Sequence, residues 1–99
     1  MDILHTKEVD ALFEAILSLK DMEECYKFFE DALTVREILD IAQRLKAARM
    51  LKAGKSYNDV CAETGMSTAT ISRVSKALER GPGGYRIVLE RISDGDNND

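Results

Sequence analysis

The chain has 99 residues, a formal net charge of −4 and 44% hydrophobic residues, which suits one domain with a thin core. Its two cysteines, Cys25 and Cys61, form no CxxC pair and stand far from the one histidine, His5, so we expect no metal site and no cofactor. No apolar run approaches the ~20 residues of a membrane span, and the acidic start is unlike a signal peptide. We therefore expect a cytoplasmic protein with no membrane partner.

The charge is unevenly distributed along the chain. Residues 1–33 carry a net charge of −6, residues 34–92 a net charge of +5, and residues 93–99 a net charge of −3. This order is typical of a protein whose basic part faces a polyanion while its acidic parts face elsewhere. The alternative is a charge asymmetry that has no functional meaning.

Capping residues, glycines and one proline divide the chain into six predicted helices and no strand. The helices are predicted at 7–19, 22–31, 34–53, 57–64, 67–80 and 84–92. Capping side chains precede four of them, at Thr6, Asp21, Thr34 and Ser56. Glycines that tolerate a positive φ are predicted to end three of them, at Gly54, Gly65 and Gly81. Residues 1–92 are thus predicted to form one helical domain, and residues 93–99 a disordered acidic tail.

The first two helices carry more apolar surface than two short elements can bury by themselves. Their large apolar residues are Leu12, Phe13, Ile16, Leu17, Leu19, Tyr26, Phe28, Phe29 and Leu33. One explanation is packing onto the third helix of the same chain, where apolar residues recur at helical spacing at Ile38, Ala42, Leu45 and Ala48. The other explanation is interleaving with a second copy to give a two-fold dimer.

Residues 56–78, SYNDVCAETGMSTATISRVSKAL, have the pattern of a short capped helix, a tight turn and a second helix. The pattern needs a small residue where the helices cross, a glycine four residues later for the turn, and branched apolar residues where the second helix packs back. Cys61, Gly65, Ile71 and Val74 fill these positions, and Val60 and Met66 are predicted to supply the remaining buried contacts. Ser67 is placed to cap the second helix, whose first backbone N–H groups could then face a phosphate.

The second helix of this motif is predicted to expose a polar surface with small residues at its leading end. The predicted surface comprises Thr68, Ala69, Thr70, Ser72, Arg73 and Lys76. Hydroxyl and methyl groups can contact base edges and thymine methyl groups, while arginine and lysine can bond guanine or phosphate. Lys55, just before the motif, is predicted to contact phosphates of any sequence. A good N-cap followed by an ordinary solvated helix surface is the alternative interpretation of this stretch.

Over residues 9–92 the chain resembles the Trp repressor superfamily, and most closely its short bacterial YerC/YecD-type TrpR-like branch. The resemblance is strongest in ATISR with the following Ser75, preceded by Gly65, and in the opening LFEAILSLKDMEECYKFFEDALT. It implies an all-α, six-helix subunit in which the first, second, third and last helices interleave with a partner. The implied assembly is an intertwined homodimer whose fourth and fifth helices bind DNA. The family's DNA-contacting positions correspond to Asn58, Thr68, Ala69, Thr70 and Ser72.

The same resemblance implies a small-molecule pocket. The two arginines that flank tryptophan in Trp repressor correspond to Arg44 and Arg73, and its cap threonine corresponds to Thr34. Val74 replaces a glycine that leaves room for the indole ring, and Ala77 replaces a serine. Overpacking by three extra carbons typically costs about 1–3 kcal/mol, so we expect that tryptophan is not the corepressor. Whether another effector exists is left open.

The sequence therefore predicts a DNA-binding transcriptional regulator, expected to be a repressor, that binds a pseudo-palindromic operator through residues 56–78. One histidine near the N-terminus and the lack of a GxxxxGK or GxGxxG pattern argue against an enzyme. The second function class is a protein-interaction module that keeps the helix-turn-helix fold without binding DNA. The net negative charge of the chain favours that second class.

Overall fold

The computed structural model describes residues 2–95, and their side chains as far as residue 92. This part of the chain folds into six α-helices and no strand, as the sequence predicts. The helices are α1 (Lys7–Leu17), α2 (Met22–Ala32), α3 (Val35–Lys52), α4 (Tyr57–Thr64), α5 (Thr68–Arg80) and α6 (Gly84–Gly95). The prediction ended α6 at residue 92, whereas the helix continues to Gly95. The rest of the predicted tail, residues 96–99, lies outside the described residues. None of the described helices is long and apolar enough to cross a membrane.

Side-chain caps begin the helices where the sequence predicts them. Thr6, Asp21 and Ser56 each accept a hydrogen bond from the backbone N–H three residues later. At the start of α3, the Thr34 hydroxyl accepts from the Glu37 N–H at 3.1 Å, and the Glu37 carboxylate accepts from the Thr34 N–H at 2.8 Å. These reciprocal bonds form a complete capping box. The hydrogen bond from the Thr34 backbone is the larger cause, and that with the Thr34 side chain the smaller, of a lowered pKa for the Glu37 carboxyl group.

Glycine conformation confirms two of the three predicted helix ends and corrects the third. Gly54 and Gly65 have φ values of +90° and +72° and end α3 and α4 in the left-handed region. Gly81 ends α5 but is extended, with φ −73° and ψ −176°. The reason is the following Pro82, which disfavours helical backbone at the residue before it. Between α5 and α6, the positive φ occurs at Gly83 instead, at +103°.

Replacing Gly65 is expected to destabilise the fold. Gly65→Ala puts a β-carbon on a residue with φ +72° and should cost about 1–2 kcal/mol, although the added methyl meets nothing within 4 Å. The matched control is Gly84→Ala, because Gly84 also has open space but no positive φ. Urea unfolding measures both variants. Equal free energies of unfolding for the two would contradict this explanation of the turn.

The described residues divide into two compact units between Ile38 and Leu39. The first unit contains α1, α2 and the start of α3, and neither α1 nor α2 has a buried residue. Large apolar side chains in these helices are strongly exposed, at 56% for Phe13, 62% for Tyr26 and 83% for Leu17. A single chain therefore leaves the apolar surface of the first two helices uncovered.

The second unit contains the rest of α3 together with α4, α5 and α6, and it has a small apolar core. The buried side chains are Ala47, Ala48, Val60, Ile71, Val74 and Leu89. The predicted α3 stripe is confirmed at Ala48 but is wrong at Ala42, which is exposed, and it omits Ala47. Ala47 and Ala48 have no exposure, so the core covers α3 at these two small residues.

Candidate nucleic-acid interface

Helices α4 and α5 form the predicted helix-turn-helix, and hydrogen bonds fix the turn between them. The Gly65 N–H donates to the Cys61 carbonyl at 2.8 Å. The Thr64 hydroxyl donates to the Val60 carbonyl at 2.6 Å and accepts from the Met66 N–H at 3.1 Å. Thr64 thus ties the last turn of α4 to the loop, a role that the sequence analysis missed. A threonine at a helix end could have indicated this role, because its hydroxyl commonly bonds nearby backbone groups there.

The apolar residues of the motif are placed as predicted. Val60 and Ile71 are fully buried, Val74 is 4% exposed, and Cys61 and Met66 are half-buried against this core. Because these contacts fix α5 on one side, they determine which of its residues point outward.

The cap of α5 involves more of the predicted DNA-contacting residues than expected. The Ser67 hydroxyl accepts from the Thr70 N–H at 3.2 Å and lies 3.0 Å from the Thr70 hydroxyl. Thr70 and Ser72 were predicted to be exposed, but both are half-buried. The physical reason is that both flank the inward residue Ile71, so that helix rotation turns each of them partly toward the core.

The other predicted DNA-contacting residues are all exposed: Lys55, Asn58, Ser67, Thr68, Ala69, Arg73 and Lys76. Thr68 and Ala69 form the first turn of α5, and Arg73 and Lys76 follow them on the same outward side. The first turn of α5 therefore exposes small side chains, and cationic side chains follow them on the same side of the helix.

A cleft of about 320 Å³ lies beside this surface, in the second unit. Its lining residues are Arg44, Thr70, Arg73, Val74, Ala77 and Tyr85. The structure thus brings Arg44 and Arg73 to one cleft, with Val74 and Ala77 in its wall. Thr34 is not among the lining residues and caps α3 in the first unit. Tyr85 was missed because nothing in the local pattern of α6 shows which helices its ring will meet.

An ion pair links α3 to the first helix of the motif. Lys46 Nζ lies 3.3 Å from Glu63 Oε2, and both side chains are about half exposed. Exposed pairs of this kind contribute at most about 1 kcal/mol, so the pair adds little to the stability of the fold. No sequence pattern connected these two residues, because they lie on different helices.

Comparison with known proteins places this fold in a family. Residues 7–93 match the family model described as Trp repressor protein. The uncharacterized protein YerC of Bacillus subtilis (strain 168) is 52% identical over 94 residues, covering 95% of this chain and 90% of YerC. The crystal structure of a TrpR-like protein from Eubacterium eligens is 52% identical, covers 90% of this chain and 92% of that one, and has a TM-score of 0.87. A solved structure from Staphylococcus aureus is 47% identical, with coverages of 93% and 94% and a TM-score of 0.87. The chain belongs to the Trp repressor family as a YerC-type, TrpR-like protein, which confirms the resemblance seen in its sequence.

Proposed function

We propose that this protein is a cytoplasmic transcriptional regulator, acting as a repressor, that binds a pseudo-palindromic site in double-stranded DNA. The observation that carries the proposal is the outward face of α5. Thr68 and Ala69 are exposed and small, and they stand in front of the exposed cations Arg73 and Lys76. Small leading side chains let a helix enter the major groove deeply, where hydroxyl and methyl groups contact base edges.

Phosphate contacts would hold this helix in register. The capped N-terminus of α5 at Ser67 directs backbone N–H groups outward, a suitable partner for an anion. Lys55 and Asn58, both exposed beside the start of α4, can contact phosphates on the strand that the first helix crosses. The net charge of +5 over residues 34–92 supports this orientation despite the acidic total.

An intertwined homodimer completes the proposal. The exposed apolar surface of α1 and α2 supports it, because monomeric proteins rarely leave such surface uncovered. A two-fold dimer would place two copies of α5 in successive major grooves about 34 Å apart.

Selection of bound sites from random duplex DNA tests the proposed function. The purified protein should enrich one pseudo-palindrome whose half-sites are about one helical turn apart. If no sequence is enriched and no duplex is retained, the protein-interaction module becomes the better account, which the net charge of −4 favours.

Tryptophan is not expected to act as corepressor. Val74 lies in the wall of the cleft beside Arg44 and Arg73, where its branched side chain takes the place of the glycine that leaves room for the indole ring in Trp repressor. A bound effector and bound DNA must change each other's affinity by the same factor. If the pocket does not accept the indole ring, titration of tryptophan gives no saturable heat and no change in the affinity for the duplex, and this is the result we expect. A tenfold or greater gain, about 1.4 kcal/mol of coupling, would show that the pocket accepts the ring.

A further inference from the structure

The C-terminal end of α5 lacks one of its own hydrogen-bond donors. In a helix, the Leu78 carbonyl would accept from the N–H four residues later, but that residue is Pro82, which has no N–H. The Gly81 N–H is already used, since it donates to the Ala77 carbonyl at 2.9 Å. The sequence of α5 and its linker therefore leaves a terminal carbonyl that needs an outside donor.

Arg86, on the first turns of α6, supplies that donor. Its Nε donates to the Leu78 carbonyl at 3.0 Å, and its Nη2 donates to the neighbouring Glu79 carbonyl. The guanidinium is planar, so two bonds from one group fix the direction of the side chain as well as its position. Its positive charge also lies at the end of α5 where the helix dipole is negative.

The covalent connection between α5 and α6 cannot provide this restraint. The linker, residues 81–83, contains two glycines and one proline, and Gly83 has φ +103°. Glycines give a linker wide torsional freedom, so the angle between the two helices must be set by contacts. The core contributes contacts through Val74 and Leu89, but apolar packing is less directional than a forked hydrogen bond.

We propose that Arg86 is a positioning residue for DNA recognition: by bonding the Leu78 carbonyl that Pro82 leaves open, together with the neighbouring Glu79 carbonyl, it fixes the angle between α5 and α6. This inference rests on the proposed function, because the fixed angle matters for how α5 enters the groove. Arg86 itself need not touch DNA. Its effect should be selective, weakening the operator more than non-specific duplex, because only specific contacts depend on the precise direction of α5.

The test compares Arg86→Met with Arg91→Met. Both substitutions remove one exposed arginine charge from α6, but only Arg86 bonds the end of α5. Arg86→Met should lower affinity for the selected duplex about tenfold and leave non-specific affinity within twofold of Arg91→Met. Equal losses in the two variants would mean that only the charge matters and would overturn the proposal.

A second comparison separates positioning from simple hydrogen-bond satisfaction. Pro82→Ala supplies an N–H four residues after Leu78 and removes the restriction that keeps Gly81 extended, so that α5 can continue by one turn. The double variant Pro82→Ala/Arg86→Met can then satisfy the carbonyl without the Arg86 link to α6. We expect it to regain thermal stability but not specific affinity. Recovery of both would overturn the proposal, whereas partial recovery of affinity by Arg86→Lys, which keeps one donor group, would support it.

A measurement without DNA keeps this inference distinct from the proposed function. Residual dipolar couplings of backbone amides in α5 and α6 report the angle between the helices in the free protein. Arg86→Met should change or broaden that angle, and Arg91→Met should not. An unchanged angle in Arg86→Met would overturn the positioning role, while a changed angle in a protein that binds no duplex would refute only the DNA-binding function.

Discussion

Ala69→Glu is expected to reduce affinity for the selected duplex by at least roughly 100-fold, which corresponds to about 2.7 kcal/mol. Ala69 is exposed in the first turn of α5, where the proposal brings the helix against the bases. A carboxylate there would be desolvated in a groove flanked by phosphates, where like charges repel. The loss should appear in equilibrium titrations by fluorescence anisotropy.

The same substitution should not damage the fold. An acidic residue in the first turn of a helix interacts favourably with the helix dipole, by about 0.3–1 kcal/mol. The melting temperature of Ala69→Glu should therefore equal or exceed that of the wild type. Ala11→Glu is the matched control, since it adds the same charge to an exposed alanine in α1, outside the helix-turn-helix. If both variants lose affinity equally, net charge and not α5 determines binding.

Phe13→Glu is expected to weaken dimer formation by at least two orders of magnitude in dissociation constant. Phe13 is 56% exposed in one chain and lies on the apolar face of α1 with Leu12 and Leu17. In the proposed dimer this face is covered, so the new carboxylate would be buried without a partner, at a cost of several kcal/mol. Sedimentation equilibrium should show monomer at concentrations where the wild type is dimeric, together with reduced helix content by circular dichroism.

Ala11→Glu again provides the comparison, because Ala11 lies on the opposite side of α1 from Phe13. It should leave the dimer intact. A wild-type chain that sediments as a compact, cooperatively unfolding monomer at micromolar concentration would contradict the dimer directly.

Local chemistry made most of the fold predictable. Thr34 and Glu37 mark the start of α3 because a hydroxyl and a carboxylate at this spacing satisfy two open N–H groups. Gly65 marks the turn because few other residues adopt its positive φ. The prediction of a positive φ at Gly81 was wrong because it considered only the glycine. The following Pro82 restricts the backbone of Gly81 to an extended conformation.

The candidate site was predictable along α5 and much less so between helices. Helical periodicity separates inward Ile71 from outward Ala69 without any tertiary information. The place of Tyr85 in the cleft and the bond from Arg86 to Leu78 depend on how α3 and α6 pack against α5. Local sequence patterns do not predict such contacts, because the two residues lie on different helices.

The most direct test of DNA recognition is the affinity of the wild-type protein for its selected duplex and for a scrambled duplex, measured from about 50 to 200 mM salt. Because Lys55, Arg73 and Lys76 are proposed to displace counterions, affinity for both duplexes should fall steeply and linearly on logarithmic axes. At every salt concentration the selected duplex should bind at least roughly 1000-fold more tightly than the scrambled one. Equal affinities for the two duplexes, or no binding at the lowest salt concentration, would contradict the proposal that this protein recognises DNA sequence through α5.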